Sequence, residues 1–342
     1  MSRRILLSTI HASDNYGSVL QATCLATALG QFGDVHVLDH RPPRVNIGYA
    51  QDWLPYQVLR RRRNPDFRSF VGKHRRMTQA QRRLPLTRRA WRGGPSSFEG
   101  YDTAVVGSDE VWSGLWGDVP AYFLAGAPES TRRVAYAVSA GRGSTMGRSS
   151  KVPEWLAAFD AIHPRDENTA DLCRTVGVDP GEVVCDPVML VEPDVLLGMA
   201  RPDWPAASKP YTLIYAEQCR FDERVDRILR AVDGPSDLLS IGFPYPGARS
   251  VIDAGLPEFV AAVAGADLVV TSMFHGLVTG LSLGKTVALM QHPAKAKKVN
   301  DLIRRVNAVD VAEGTGFRVV APSPEVATFR ASSQAALATA MG

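Results

Sequence analysis

The sequence is poor in cysteine and contains no long apolar run, and both shortages narrow the class of protein. Its four cysteines, Cys24, Cys173, Cys185 and Cys219, include no closely spaced pair. This spacing fits neither a disulfide framework nor a zinc site, so reduced and mostly buried thiols are expected. The longest apolar runs, such as residues 261–270, fall short of the roughly 20 residues that a membrane-spanning helix needs.

The N-terminus also lacks the features of a secretion signal. The apolar stretch within residues 1–8 is only a few residues long and runs directly into polar residues. A signal peptide needs a longer apolar region, so this stretch is predicted to be the first strand and the protein to be cytoplasmic.

Positive charge is in small excess over the whole chain, but basic residues are concentrated in one segment. The formal net charge is +4, which is too little for nucleic-acid binding in a chain without a recognisable nucleic-acid module. Between Arg60 and Arg92, however, thirteen Arg or Lys residues accompany the single acid Asp66. Such a block is either a solvated helical surface or an anion-binding face, which could contact an anionic ligand or the membrane presenting it.

Length and pattern predict two α/β domains that face each other across a cleft. A chain of 342 residues is long enough for two cores, and its short apolar runs alternate with helix-length segments. Proline density rises between Pro187 and Pro210, and the predicted domains are residues 1–195 and 205–342. The predicted strands are residues 4–10, 34–38, 103–106, 133–138, 161–163, 182–185, 211–216, 238–241, 267–271 and 286–290. The predicted helices are residues 18–32, 167–176, 223–232, 256–264 and 276–283.

Four polar clusters follow predicted strands, at the edge where parallel sheets bind ligands. The first comprises Asp14, Asn15, Tyr16, Gly17 and Ser18 and precedes a helix. Its residues either cap that helix and form a turn, or take part in binding.

The second and third clusters follow the third and fourth predicted strands. In the second, Ser108 precedes Asp109, whose carboxylate is placed either to cap a helix or to orient and deprotonate a hydroxyl group. In the third, Ser139 and Gly141 lie in a loop that can expose backbone amides to an anion. This loop has neither a dinucleotide-binding fingerprint nor a Walker pattern.

The fourth cluster places a histidine where a strand meets a helix. Ser272, His275 and Gly276 follow the strand at residues 267–271, and the next helix directs its N-terminus to the same place. A lone histidine is more often structural, but imidazole suits proton transfer at neutral pH. Arg165, after an earlier strand, either binds a planar carboxylate or phosphate or forms a surface ion pair.

Taken together and in this order, the clusters resemble the polysaccharide pyruvyl transferase family. The resemblance spans residues 15 to about 305 and so covers most of the chain. Each matching segment is short and moderately specific, but six in the right order argue against coincidence. They are residues 15–22 (NYGSVLQA), 101–102 (YD) with 106–112 (VGSDEVW), 136–141 (YAVSAG), 165–167 (RDE), 185–188 (CDPV) and 274–276 (FHG).

The resemblance implies two Rossmann-like domains in a GT-B-like arrangement, with the acceptor on the N-terminal side and the donor on the C-terminal side. The implied donor is phosphoenolpyruvate, with no metal and no further cofactor. The implied product is a cyclic pyruvate ketal across two sugar hydroxyls, with release of phosphate. A sugar, a glycan precursor and a glycosylated small molecule are all open as acceptors.

The resemblance also implies roles for individual residues. His275 matches the family's histidine near the donor carbon, and Arg165 matches an arginine associated with the donor's acidic groups. The sequence departs from the family pattern at two points. Glu110 stands where glutamine is commoner, and a cation that some members place before the histidine is absent. The lysines that follow are expected to replace this cation. The implied catalytic residues are His275, Asp109 and Asp14. The implied donor-binding residues are Arg165, Ser272, Gly276, Lys295, Lys297 and Lys298, and the acceptor-binding residues are Asn15, Tyr16, Gly17, Ser108, Ser139 and Gly141.

Two other functions are compatible with the same sequence. A glycosyltransferase of the same architecture would use a nucleotide sugar as donor. A sugar- or anion-binding protein would keep the scaffold without catalysis, because a fold does not determine a function.

Overall fold

Two β-sheets form the framework of the chain. The computed structural model describes residues 2–42, 67–88, 94–113, 119–141, 149–204, 210–216, 222–232, 234–290, 296–307 and 317–342. The strands of the N-terminal sheet are β1 (Arg4–Ser8), β2 (Asp34–Val37), β3 (Thr103–Val106), β4 (Arg132–Val138) and β5 (Ala161–Pro164). All are parallel, and they pair in the order β2-β1-β3-β4-β5.

The C-terminal sheet has the same character with one exception. Its strands are β6 (Thr212–Tyr215), β7 (Leu238–Ile241), β8 (Arg249–Val251), β9 (Leu268–Thr271), β10 (Thr286–Met290) and β11 (Phe317–Val320). They pair in the order β11-β10-β9-β6-β7-β8. The edge strand β11 is antiparallel to β10, and the other pairs are parallel.

Helices connect the strands, since parallel neighbours need crossover connections. Among the described residues the helices of the N-terminal half are α1 (Tyr16–Leu29), α2 (Phe67–Gln81), α3 (Val152–Ala157), α4 (Glu167–Thr175), α5 (Pro187–Leu190) and α6 (Pro193–Met199). They continue with α7 (Asp222–Ala231), α8 (Leu256–Gly265), α9 (Phe274–Ser282), α10 (Ala296–Arg305) and α11 (Glu325–Met341). Two short 3₁₀ helices lie at Pro95–Ser97 and Pro120–Phe123.

Continuous burial shows that β1 and α1 are interior elements. Ile5, Leu6 and Leu7 of β1 are fully buried, which is typical of a parallel strand covered on both faces. Helix α1 is buried along most of its length, so it is enclosed and not a surface helix.

The start of α1 is fixed against the C-terminal half. The Tyr16 ring stacks on Phe259 with centroids 4.7 Å apart, and its hydroxyl donates to the Ala254 carbonyl over 2.8 Å. Burial raises the pKa of Tyr16 well above its ordinary value, so the phenol remains a neutral donor. The first turn of α1 therefore lies where the two halves meet.

The last helix, α11, returns to the N-terminal sheet. The Tyr136 hydroxyl donates to the Ser333 carbonyl over 2.7 Å, and the Cys185 amide donates to Ser333 Oγ over 2.9 Å. Arg330 Nε donates to the Met189 carbonyl over 2.8 Å. The predicted second domain, residues 205–342, thus ends in a helix that packs on the first half.

Most predicted strands are present, and one is wrong. Residues 103–106, 238–241 and 286–290 form strands with the predicted bounds. Residues 182–185 were expected to form a strand, but they do not pair as one. Isolated hydrogen bonds join this segment to β5, such as the one that the Val184 amide donates to the Pro164 carbonyl over 2.9 Å. The Cys185 amide instead donates to Ser333 of α11.

Two expectations from composition can be compared with the structure. Cys24, Cys173 and Cys185 are free and buried, as predicted, and Cys219 lies outside the described residues. Within the described ranges, no helix combines the length and the apolar character needed to cross a membrane.

Candidate functional site

Residues that follow strands in both sheets meet at one place between them. Arg165 follows β5, Asp186 precedes α5, and His275 lies in the first turn of α9. Arg165 Nη1 donates to Asp186 Oδ2 over 2.8 Å, and His275 Nε2 lies 3.4 Å from the same oxygen. Arg165 and His275, which the sequence placed in separate clusters, are therefore joined by one carboxylate. We call Arg165, Asp186 and His275 the central cluster.

Asp186 is held in place by the start of a short helix. Its Oδ1 atom accepts from the Val188 amide over 3.0 Å, and Pro187 occupies the first helical position. Burial opposes ionisation of this carboxyl, but His275 and Arg165 hold the pKa of Asp186 well below its usual range. Asp186 is therefore ionised at neutral pH and supplies the negative charge of the central cluster.

Arg165 is buried and still has donors available. Its side chain is 3% exposed, and Nη1 also donates to Ser108 Oγ over 3.4 Å. The other two guanidinium nitrogens, Nε and Nη2, have no hydrogen-bond partner among the described residues. Burial disfavours the charge, but the surrounding carboxylates, Asp186 foremost, raise the pKa of Arg165. Buried and charged N–H donors of this kind suit a planar carboxylate or a phosphate.

The junction of β9 and α9 places His275. Thr271 Oγ1 accepts from the Met273 amide over 3.0 Å, and α9 begins at the next residue with no side-chain cap. His275 Nε2 makes no well-aligned hydrogen bond within the described residues, although Asp186 lies close by. At the opposite edge of the ring, a Cβ atom at Gly17 would lie 2.2 Å from His275 Nδ1, so glycine is needed there. The uncapped helix start adds a partial positive charge beside the imidazole.

Phe274 contacts cations from both halves of the chain. Arg165 Cζ and Lys298 Nζ each lie 4.8 Å from the centroid of its ring, a favourable cation–π distance. Lys298 Nζ also lies 2.6 Å from Glu110 Oε1, and both side chains are largely buried. Two of the predicted donor-binding residues, Arg165 and Lys298, are thus brought to one ring next to His275.

Asp109 lies near the central cluster on the loop after β3. Its Oδ2 atom accepts from Ser18 Oγ over 2.9 Å, and its Oδ1 atom accepts from the Glu110 amide over 2.8 Å. Its φ of 71° is left-handed, a region that Asp adopts more readily than most residues. The Asp109 charge contributes to the raised pKa of Arg165, so the two groups are within electrostatic reach.

Asp14, Asn15 and Tyr16, from the first polar cluster of the sequence, make their contacts outside the central cluster. Asp14 Oδ1 lies 3.0 Å from His74 Nδ1. Asn15 caps α1, its Oδ1 accepting from the Gly17 amide over 2.8 Å, and Tyr16 lies in the core described above. Their part in acceptor binding, and that of Asp14 in catalysis, stays a prediction.

Ser139 and Gly141 follow β4 and form hydrogen bonds to residues at the start of α4. Ser139 Oγ donates to Asp166 Oδ2 over 2.7 Å, and the Gly141 carbonyl accepts from Asn168 Nδ2 over 2.7 Å. Gly141 has a φ of 60°, which favours glycine. Residues 142–148, which follow in this loop, lie outside the described residues.

The remaining predicted donor-binding residues are less central. Gly276 packs closely on Thr271, since a Cβ atom at Gly276 would lie 2.3 Å from Thr271 Oγ1. Ser272 is half-buried, Lys297 is exposed on α10, and Lys295 lies outside the described residues. No group of three or more His, Cys, Asp or Glu residues within the described ranges is arranged to hold a metal ion.

The described part of the Arg60 to Arg92 block lies on α2 and the residues after it. Lys73 Nζ lies 4.5 Å from the centroid of the Tyr16 ring, and Arg76 pairs with Asp253 over 3.1 Å. Part of the block therefore packs on the C-terminal half and is not simply solvated. Residues 60–66 and 89–92 lie outside the described residues, and contact with an acceptor or membrane stays a prediction.

Neither Asp186 nor Phe274 has a role predicted from the sequence, although both lie in segments that carry the resemblance. An Asp before a Pro predicts a helix cap, and Asp186 is one. Its second oxygen, which contacts Arg165 and His275, depends on tertiary packing that no local pattern contains. Phe274 was missed because a single aromatic residue before a histidine carries no pattern of its own.

Solved structures of low sequence identity are similar to the chain. UDP-GlcNAc 2-epimerase from Methanocaldococcus jannaschii superposes with a TM-score of 0.50 at 11% identity, covering 88% of this chain and 87% of that chain. UDP-N-acetylglucosamine 2-epimerase from Rickettsia bellii gives a TM-score of 0.46 at 10% identity, covering 99% and 96%. The glycosyltransferase SnogD from Streptomyces nogalater gives 0.39 at 14% identity, covering 99% and 98%. The first similarity and the two parallel sheets confirm the predicted fold class, two Rossmann-like domains facing across a cleft in a GT-B-like arrangement.

The sequence itself identifies the family. No curated protein shows significant sequence similarity to the chain. The family model described as polysaccharide pyruvyl transferase, however, matches residues 15–292, a span that includes Asp109 and the whole central cluster. The chain belongs to the polysaccharide pyruvyl transferase family.

Proposed function

We propose that the protein transfers the pyruvyl group of phosphoenolpyruvate to hydroxyls of a sugar, forming a pyruvate ketal and releasing phosphate. The observation that supports this best is the central cluster. It sets a histidine beside a buried arginine whose Nε and Nη2 atoms have no partner among the described residues. A ligand with two acidic groups and a carbon that must be protonated fits this combination.

Two cations at the ring of Phe274 support an anionic donor. Arg165 offers a fork of donors to a carboxylate or phosphate, and Lys298 offers a point charge to the other group. The uncapped N-terminus of α9 adds backbone dipoles that favour an anion. Phosphoenolpyruvate carries a carboxylate and a phosphate on the same carbon, so both kinds of partner would be used.

In the proposed reaction, His275 is the acid. It gives a proton to the methylene carbon of phosphoenolpyruvate, and the electron pair of the double bond forms the new C–H bond. The neighbouring carbon becomes cation-like and is attacked by a sugar hydroxyl, which forms a C–O bond. Cleavage of the bond from that carbon to the phosphate oxygen releases phosphate. A second hydroxyl then forms the second C–O bond and closes the ketal, and the proton that this hydroxyl loses leaves with the phosphate.

Asp109 is the better placed of the two candidate bases. Its carboxylate is held by Ser18 and lies within electrostatic reach of Arg165. Asp14 is instead paired with His74. We therefore propose that Asp109 accepts the proton that the attacking hydroxyl loses. The acceptor sugar would then bind on the N-terminal side of the cleft.

The proposal is tested by following the transferred proton. The purified chain is incubated in deuterium oxide with phosphoenolpyruvate and a panel of methyl and p-nitrophenyl glycosides, and phosphate and product mass are measured. We expect acceptor-dependent phosphate release and a product whose new methyl group carries deuterium. His275→Gln should lower turnover by at least about a hundredfold while the protein stays folded.

Two outcomes would contradict the proposal. Release of nucleotide from nucleotide sugars, without consumption of phosphoenolpyruvate, would indicate a glycosyltransferase. Binding of sugars or anions with no turnover of either donor would indicate a binding protein on the same scaffold.

A further inference from the structure

We infer that Asp186 is a positioning residue: it fixes the ring proton of His275 on Nε2 and thereby leaves Nδ1 as the nitrogen that serves the donor. The role of Nδ1 toward the donor rests on the proposed function, whereas the position of the proton on Nε2 does not. It begins from one oxygen atom. Asp186 Oδ2 lies 2.8 Å from Arg165 Nη1 and 3.4 Å from His275 Nε2, so the carboxylate is shared by the proposed anion site and the proposed acid.

The two ring nitrogens of His275 have different surroundings. Nε2 is buried and faces Asp186, whereas Nδ1 lies on the side of Gly17, whose backbone packs against that edge of the ring and whose lack of a side chain leaves the room that the ring needs. An ionised carboxylate accepts hydrogen bonds and cannot donate them. The nitrogen that faces Asp186 must therefore carry a proton to be stabilised there.

This arrangement gives the proposed step a proton balance. The protonated ring loses the Nδ1 proton to the methylene carbon of the donor and keeps the Nε2 proton beside Asp186. The proton that Asp109 takes from the attacking hydroxyl keeps the overall count unchanged. Among the described residues, Arg165 lies beyond Asp186 and Lys298 lies across Phe274, and both would face the donor.

Helix capping alone does not account for Asp186. Its Oδ1 atom accepts from the Val188 amide and satisfies the start of α5, so Oδ2 is not needed for the cap. Asparagine at this position could keep the cap through its carbonyl oxygen. Its NH₂ group would then face the donors of Arg165 and His275, where two donors cannot bond. Asp186→Asn therefore keeps the helix cap and removes the favourable contact with the His275 ring.

The experiment is nitrogen-15 NMR of the imidazole rings at neutral pH, with the His275 signals assigned by their loss in His275→Gln. We expect a proton on Nε2 in the wild-type protein and a shift of the Nδ1 signal when phosphoenolpyruvate is added. In Asp186→Asn we expect the Nε2 proton to move to Nδ1 and kcat to fall at least about tenfold, with a smaller change in KM.

Asp166→Asn is the matched control. Asp166 is also a buried carboxylate that caps a helix, but its oxygens bond Ser139 and Thr169. The His275 signals should not change in this variant. A wild-type ring with its proton on Nδ1, or ring signals that Asp186→Asn leaves unaltered, would overturn the inference. If Asp186→Asn does not fold, the wild-type spectrum alone decides. The Nε2 proton is read without turnover, so inactivity toward phosphoenolpyruvate would count against the proposed function and not against the position of that proton.

Discussion

At the scale of single residues, the site depends on how closely Gly17 approaches His275. A Cβ atom at Gly17 would lie 2.2 Å from Cγ and Nδ1 and 2.5 Å from Cβ of the histidine. These atoms lie near the backbone of α9 and cannot swing away like the end of a long side chain. The first turn of α1 therefore defines one wall of the histidine's position.

Gly17→Ala is predicted to displace the imidazole. Overpacking of this kind costs about 1–3 kcal/mol of unfolding free energy, and the displaced ring should lose at least about tenfold in kcat. Turnover of phosphoenolpyruvate and urea unfolding measure the two effects. Gly198→Ala is the control, because nothing lies within 4 Å of a Cβ atom there and the residue is helical. This control should be stabilised by about 0.5–1 kcal/mol. Full activity of Gly17→Ala would show that the close approach is unimportant.

At the scale of elements, α10 joins the two halves through ion pairs on the donor side of the cleft. Lys298 lies 2.6 Å from Glu110, and further along the same helix Arg305 lies 2.5 Å from Glu167 of α4. Glu110 is the closer of the two carboxylates to the proposed donor site, since its partner also contacts Phe274. Its charge therefore competes with a bound phosphate for Lys298.

Glu110→Gln is predicted to strengthen donor binding. Removing one negative charge releases Lys298 for the donor, and loss of a partly buried pair of about 1 kcal/mol corresponds to a KM for phosphoenolpyruvate lower by about fivefold. Steady-state kinetics at varied phosphoenolpyruvate measures this. Glu167→Gln removes the neighbouring pair on α10 and should leave KM unchanged. A raised KM in Glu110→Gln would mean that the ion pair holds Lys298 in place for the donor.

Element bounds were predictable where the sequence alternates clearly between apolar and polar segments. The run Thr-Ala-Val-Val at residues 103–106 is buried throughout and was predicted in full. The sequence does not predict helices α5 and α6, because the proline density of this segment indicates a domain boundary. Pro187 and Pro193 instead occupy first helical positions, where a missing amide proton costs nothing.

At the scale of the whole molecule, contacts between distant segments create the site. The candidate residues Arg165 and His275 could be chosen from the sequence because each follows a strand and precedes or opens a helix. Their connection through Asp186 could not, because it depends on how the two sheets face each other. The same holds for α11, whose return to Tyr136 and Cys185 follows from burial across the whole chain.

Phosphoenolpyruvate is expected to bind in the cleft through Nε and Nη2 of Arg165, which have no partner among the described residues. A thermal-shift titration tests it most directly, with pyruvate, inorganic phosphate and nucleotide sugars as comparison ligands. At a concentration of 100 Kd a ligand stabilises the native state by about 2.7 kcal/mol, which raises Tm by several degrees.

The decisive variant is Arg165→Lys, which keeps a positive charge for Asp186 but removes the forked donors Nε and Nη2. Arg330→Lys is the matched control, because Arg330 is also buried but bonds Met189 and Glu192 on the side of α11. We expect a Tm increase with phosphoenolpyruvate in the wild-type protein and in Arg330→Lys, and we expect it to be lost in Arg165→Lys. A Tm increase with nucleotide sugars alone, or one with phosphoenolpyruvate that survives in Arg165→Lys, would contradict it.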